Sequence, residues 1–161
     1  MHKLVLAASA AFCLSFTAAS AANIVETAQG AGTFKTLIAA AQAAGLADAL
    51  ATGKNLTVFA PTDEAFAKLP AGTVENLLKP ENKDQLAAIL LYHVLPRQLA
   101  SDQMLAGPFH VRTLKAAGDR TLAIRKGPGG VTVDNASVVK ADITTDNGII
   151  HVIDSVMLPE K

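Results

Sequence analysis

The chain contains 161 residues, half of them apolar, and its 14 basic and 14 acidic side chains give a formal charge of zero. This balance gives no reason to expect nucleic acid or a membrane surface as an obligatory partner. The length predicts one domain. Because Cys13 is the only cysteine and lies near the N-terminus, the rest of the chain excludes disulfides, thiolate metal sites and cysteine nucleophiles.

Residues 1–22 have the pattern of a secretory signal peptide, which we expect to be removed. After a short basic start, an apolar run covers residues 4–16 and is too short to span a bilayer comfortably. Small residues follow, and cleavage is expected after Ala21 or Ala22.

Lipid attachment at Cys13 is the weaker alternative, because Phe12 precedes this cysteine where a lipoprotein would have small residues. We therefore predict a secreted or periplasmic protein with a cysteine-free mature chain. Its single domain is expected over residues 23–159.

Helical spacing dominates the first part of this domain. An i, i+3, i+4, i+7 pattern of apolar side chains is formed by Phe34, Leu37, Ile38 and Ala41. Gly45 is suited to end this helix. Residues 46–51 predict a second short helix or turn.

The next segment predicts a strand that turns into a capped helix. Residues 56–60 form a short run suited to a strand, and Pro61 ends it because proline has no backbone N–H to donate. Thr62 and Asp63 are both good helix N-cap residues. Asp63 and Glu64 also suit the positive end of a helix dipole.

Two further helices are expected before Pro96. The first begins near Gly72 and closes with an apolar pair that ends at Leu78. In the second, we expect Asn82 to be the N-cap and Gln85 to be its reciprocal partner in a capping box.

The second of these helices carries an apolar face with a histidine in it. This face is formed by Leu86, Ile89, Leu90 and His93. We therefore expect His93 to be buried and hydrogen-bonded, with ligand contact as the alternative. Tyr92 lies off the centre of the face and is expected at the edge of the core, where its hydroxyl needs a partner.

The last third of the chain predicts strands. Residues 121–126 and 131–133 are strand-like, and Asp134 and Asn135 form a plausible two-residue hairpin turn before a returning strand. Helices early and strands late in the sequence argue for an α+β domain.

A turn and an unusually apolar strand end the domain. Asn147 and Gly148 are a strong turn signal. The strand that follows is apolar on both faces, with His151 on one of them, which predicts a central strand covered on both sides. Asp154 interrupts this pattern and is expected to mark a bend, an edge or a buried hydrogen bond.

Three segments in this order resemble the fasciclin-like domain family: residues 57–66, 90–96 and 146–159. The resemblance covers about residues 23–159 and implies a wedge of about seven strands in two sheets, with several helices packed against it. The residues that carry the structural signature are Thr62, Asp63, Asn147, Gly148, His151 and Asp154.

The resemblance also implies a non-enzymatic module of adhesion or protein–protein contact, either extracellular or periplasmic. In animal relatives, integrin binding is associated with the tyrosine–histidine segment, whose matching positions are Tyr92 and His93. They are therefore candidate partner-binding residues.

A group of basic residues is a second candidate for partner binding. It consists of Arg112, Lys115, Arg120, Arg125 and Lys126, with only Asp119 opposing it. These residues suit an anionic glycan or lipid head group. The alternative is a solvated sheet edge, where charged side chains prevent pairing with neighbouring molecules.

Two other functions stay open at this point. One is binding of a small molecule or an anionic glycan in a pocket between sheet and helices, although the chain has only one Tyr and no Trp for sugar stacking. The other is a hydrolase built on Asp63, Asp154 and His151, which nothing in the sequence brings within reach of each other. We favour a monomeric interaction module without a cofactor, whose partner is another protein or a component of the cell envelope or the extracellular surface.

Overall fold

The computed structural model describes residues 22–115 and 121–158. The predicted signal peptide up to Ala21, with Cys13, and Arg120 of the basic group lie outside these ranges. Within them, no helix is long and apolar enough to cross a bilayer.

Short helices occupy the first part of the described chain. They are α1 (Ile24–Ala31), α2 (Lys35–Ala43), α3 (Ala47–Thr52), α4 (Asp63–Ala67), α5 (Thr73–Leu77) and α6 (Lys83–Tyr92). A 3-10 turn over Pro80–Asn82 leads directly into α6.

Within the described ranges, seven strands follow or interrupt these helices. They are β1 (Leu56–Pro61), β2 (Val94–Leu95), β3 (Gly107–Arg112), β4 (Thr121–Gly127), β5 (Gly130–Val133), β6 (Ala136–Thr144) and β7 (Gly148–Ile153). Their spatial order is β2-β1-β7-β6-β5-β4-β3, in which β1 and β7 are parallel and the other neighbours antiparallel.

Strand β6 joins two sheets. Its start pairs with β5, where Ala136 lies opposite Val133, while its later part pairs with β7 through two register shifts. The N–H of Leu114, just after β3, donates to the carbonyl of Val94 in β2 at 2.9 Å. The two ends of the strand order therefore nearly meet, and the predicted α+β fold of two sheets with packed helices is confirmed.

The core has two parts, one on each face of β1 and β7. Val58 and Ile150 lie in the first part, under the helices, whereas Phe59 and Ile153 lie in the second, enclosed by the two sheets. All six residues of β7 are buried. The predicted central strand is thus confirmed, although it ends at Ile153, before the end of its apolar sequence.

The predicted capping box at α6 is wrong. The side chain of Asn82 makes no bond to the first turn of this helix. Its amide instead donates to the carbonyl of Asn76 at 2.7 Å. The preceding 3-10 turn explains this, because it leaves Asn82 with φ −104° and ψ 14°, outside the extended region of an N-cap, and its side chain bonds back to α5.

Candidate interaction surface

The first signature segment caps two helices. The hydroxyl of Thr62 accepts from the N–H of Ala65 at 3.2 Å, which makes Thr62 the cap of α4 as expected. Asp63 caps a different helix, because its carboxylate accepts from the N–H of Thr36, in the first turn of α2, at 2.8 Å. The N–H of Asp63 donates in turn to the carbonyl of Thr33 at 2.9 Å. Asp63 therefore fastens α2 to the end of β1.

The second signature segment performs the same role for α1 and α3. The side-chain amide of Asn147 donates to the carbonyls of Leu50 and Gly53 at 2.7 and 2.8 Å, and its oxygen accepts from the N–H of Ile24 at 2.9 Å. A methyl group at Gly148 would lie 2.1 Å from the carbonyl oxygen of Leu56. The turn therefore serves the packing of two helices and of β1.

His93 is buried, as its helical spacing predicts. Its Nδ1–H donates to the carbonyl of Ile89 at 2.7 Å, and its Nε2 accepts from the N–H of Met157 at 3.0 Å. Burial lowers the pKa of His93 to about 4, so the ring is neutral at pH 7. His93 lies 2% exposed and has no free ring nitrogen, which contradicts direct contact with a partner.

His151 is equally enclosed. Its Nε2–H donates to the carbonyl of Leu99 at 2.7 Å, its Nδ1 accepts from the N–H of Asp142 at 3.2 Å, and its ring stacks on Phe59. Burial lowers the pKa of His151 below its ordinary value. Both ring nitrogens are therefore occupied by backbone groups.

The structure does not assemble the hydrolase hypothesis. Asp154 forms a bend at the end of β7, where its carboxylate accepts from the N–H of Ser137 at 2.9 Å and lies 3.8 Å from the ammonium of Lys68. Asp63 is held by α2 and His151 by the core. The three side chains thus have separate partners and separate structural roles.

Tyr92 connects the core to the surface. Its hydroxyl donates to the Asp134 carboxylate at 2.8 Å and lies 3.2 Å from the carbonyl oxygen of Thr121. The ammonium of Lys115 lies 5.7 Å from the centre of the Tyr92 ring. Only 3% of Tyr92 is exposed, so its partners, more than Tyr92 itself, form the surface here.

Two adjoining depressions surround these partners, with volumes of about 470 and 290 Å³. They share four lining residues, which are His110, Ala123, Asp134 and Asn135. Leu158 completes one depression and Arg125 the other. We call this surface the hairpin groove, and it offers an imidazole, a carboxylate, an amide, a guanidinium and an apolar patch side by side.

The basic residues predicted as one group are separated by strand alternation. Arg125 follows the buried Ile124 in β4 and is exposed on the outer face, as is Arg112 in β3. Lys126 projects to the opposite face, where its ammonium donates to the carbonyl of Ser101 at 2.7 Å. Lys115 lies over the ring of Tyr92. Among the described members of this basic group, only Arg125 lines the hairpin groove.

Only part of the hairpin groove is predictable from the sequence. The turn at Asp134 and Asn135 was predicted, and Asp134 adopts the positive φ of 49° that such a turn requires. His110 gave no signal, because an isolated histidine in an edge strand has no motif around it. Leu158 lies in the last of the three family-like segments, but its exposed position beyond the end of β7 was not predicted.

The apolar cavity between helices and sheet is small. It has a volume of about 40 Å³ and is lined by side chains of α1, α2, α3, α6, β1, β2 and β7, including Ile24, Leu50 and Ile150. Pockets for drug-sized ligands measure about 300–1,000 Å³. The predicted small-molecule pocket in this position therefore has no support.

Comparison with known proteins gives a consistent result. The family model for the Fasciclin domain matches residues 32–159. The chain is 50% identical over 140 residues to Protein sll1483 from Synechocystis sp., which covers 87% of this chain and 75% of that protein. It is 39% identical over 137 residues to transforming growth factor-beta-induced protein ig-h3 from Sus scrofa, covering 85% of this chain but only 19% of that protein.

A solved structure shares the fold. It is a FAS1 domain pair from the insect cell adhesion molecule Fasciclin I, with a TM-score of 0.52 and 21% sequence identity. The match covers 84% of this chain and 47% of that one. The chain therefore spans about half of the two-domain structure.

Proposed function

This chain belongs to the fasciclin domain family, and on that premise we propose that it is an exported module of adhesion or protein–protein contact. The proposal rests on a difference between two sets of polar side chains, those of the signature segments and those of the hairpin groove. Those of the two signature segments hold helices, strands and turns together. Those of the hairpin groove face solvent.

Non-covalent contact suits this groove better than catalysis. A general acid or base must reach a substrate, and the buried His93 and His151 have both ring nitrogens occupied. His110 is exposed but has no hydrogen-bonded carboxylate among the described contacts. The groove therefore presents recognition groups without an activated nucleophile, which supports a module that is not an enzyme.

The chemistry of the groove favours a polypeptide partner with both charges. Arg125 suits a carboxylate, and Asp134, already bonded to Tyr92, has further acceptor capacity for a cation. The exposed Leu158 supplies apolar contact at one end. Such mixed surfaces are typical of protein interfaces, which combine apolar anchors with a polar rim.

The test is capture of partners by the mature domain from an extract of the native cell envelope, followed by cross-linking. We compare Arg125→Glu in the groove with Arg112→Glu, a matched change on the neighbouring strand outside it. Loss of the captured proteins with the first variant alone supports the proposal. Equal capture by both variants, or equal loss, contradicts the groove as the contact surface.

Export is tested separately by the intact mass of the protein recovered outside the cytoplasm. We expect a mature N-terminus at Ala22 or Asn23. A protein that retains residues 1–21 would contradict signal-peptide cleavage, whatever the groove binds.

A further inference from the structure

Two irregular segments are each held by a buried histidine. The tail, residues 154–158, is tied to α6 by the N–H of Met157, which donates to Nε2 of His93 at 3.0 Å. The loop, residues 97–104, is tied to β7 by the carbonyl of Leu99, which accepts from Nε2–H of His151 at 2.7 Å. Neither segment contains helix or strand, so side-chain bonds have a large part in fixing its position.

Both segments close the same part of the core. The loop contributes Leu99 and Met104, and the tail contributes Met157. These three side chains are at most 5% exposed and pack with residues enclosed by the two sheets. The helices pack against the other part of the core, to which the tail adds only the partly buried Val156.

The two histidines respond differently to a proton, because only His93 uses its acceptor nitrogen to hold its segment. A neutral ring has one N–H and one acceptor nitrogen, and both rings use the two. A proton on the acceptor nitrogen of His93 would face the N–H of Met157, and one on His151 would face the N–H of Asp142. Protonation of His93 therefore replaces the bond that holds the tail with repulsion between two donors. Protonation of His151 affects only its bond to Asp142 of β6, while its Nε2–H still donates to Leu99 of the loop.

The surrounding charges do not compensate for burial. The charge that acts on His93 is that of Asp134 in the β5–β6 turn, while α1, α2, β1 and β7 surround its cavity side with apolar groups. The charge that acts on His151 is Asp142 of β6, which also interacts with Lys126 of β4. Burial outweighs these carboxylates and lowers the pKa of both rings.

We propose that His93 forms an acid-sensitive latch, which releases the tail while the helices stay packed on β1 and β7. Release of the tail also removes Leu158, and with it one wall of the hairpin groove. The surface that the groove presents would then depend on the acidity of the medium. The latch itself does not depend on what the groove binds.

The size of the effect follows from linkage. The pKa of His93 is about 4 while the tail is closed and returns to its ordinary value of about 6.5 when the tail opens. Because the open state binds a proton more readily, acid favours opening. With these values, the opening equilibrium of the tail rises roughly 70-fold between pH 7.5 and pH 4.5. The carboxyls of Asp142 and Asp154 have lowered pKa values and stay ionised over this range.

Amide hydrogen exchange, resolved by NMR and corrected for the intrinsic rate at each pH, tests the latch. We expect the protection of Met157 to fall roughly 70-fold between pH 7.5 and pH 4.5, that of Asp142 to fall as well, and that of Leu90 in α6 to change much less. Unchanged protection of Met157, or a parallel fall at Leu90 that shows global unfolding, would overturn the proposal.

Two variants separate the latch from general acid sensitivity. His93→Gln keeps a donor and an acceptor but has no proton to gain, so the pH dependence at Met157 should disappear while that at Asp142 persists. The exposed His110→Gln should leave both unchanged. If His93→Gln does not fold, the ring ¹⁵N chemical shifts of the native protein, followed by NMR against pH, test the latch instead. Shifts of a neutral ring with its proton on Nδ1 support the latch, and a His93 that titrates near pH 6.5 overturns it.

Discussion

The hydroxyl of Tyr92 donates to the Asp134 carboxylate at 2.8 Å, which joins the end of α6 to the β5–β6 turn across 42 positions of sequence. The other oxygen of Asp134 accepts from the N–H of Ala123 at 2.9 Å, so one carboxylate fixes a tyrosine and a neighbouring strand. The floor of the hairpin groove therefore depends on this pair.

Tyr92→Phe removes that hydroxyl and leaves the ring. Hydrogen bonds to charged groups contribute about 1.5–3 kcal/mol, and because Asp134 is exposed we expect a loss at the lower end, about 1–2 kcal/mol. Urea unfolding measures it. Asp134→Asn keeps an acceptor and should cost less, and a Tyr92→Phe protein as stable as the native one would contradict the role of the pair.

Asn147→Ala should destabilise the protein by about 2–3 kcal/mol, because it leaves the end of α3 and the start of α1 without their side-chain partner. Asn147→Asp keeps the acceptor for the N–H of Ile24 but loses the donors. We therefore expect it to fall between the native protein and Asn147→Ala in thermal unfolding. If both variants have the melting temperature of the native protein, Asn147 acts only as a turn residue.

Gly148→Ala places a methyl group against the carbonyl of Leu56, at a separation of 2.1 Å that backbone movement must relieve. We expect a loss of at least ~3 kcal/mol or failure to fold. The matched control is Gly129→Ala, where no atom lies within 4 Å of the added carbon. That variant should stay within about 0.5 kcal/mol of the native protein by denaturant unfolding. If Gly148→Ala changed the free energy of unfolding as little, β1 and the turn would not be closely packed.

The stability of the whole domain should fall in acid for the reason that opens the latch. The pKa of His93 is lowered to about 4 in the folded state, so the unfolded chain binds its proton first, and stability is lost as pH falls from about 6.5 toward 4. From pH 7.5 to pH 4.5 this amounts to about 2.5 kcal/mol, and His151 adds to it in the same direction. Denaturant unfolding at several pH values measures it, and a flat profile between pH 7 and pH 5 would contradict the burial of neutral rings.

Local signals in the sequence predicted local structure well. The cap at Thr62, the hairpin turn at Asp134 and the central strand after Gly148 are each encoded by neighbouring residues, and the structure has all three. The resemblance to the family rested on such segments, and it predicted the fold correctly.

Long-range partners were beyond these signals. Nothing near Asp63 indicates that it caps α2, 27 positions earlier, and nothing near Asn147 indicates the carbonyl of Gly53, 94 positions away. Likewise, adjacent basic residues in β4 suggested one patch, but Arg125 and Lys126 point to opposite faces of the strand. The groove arises from such tertiary contacts, so only its turn could be predicted from the sequence.

We propose that the signature segments build the fold and that the hairpin groove makes the contact with the partner. A single comparison tests it: capture of envelope proteins and melting temperature, both measured for Asn147→Ala and Arg125→Glu at a temperature where each is folded. We predict that Asn147→Ala has a lower melting temperature but still captures its partners. Arg125→Glu should keep the melting temperature of the native protein but lose the captured partners. The reverse pattern, with binding lost at Asn147 and kept at Arg125, would contradict the account.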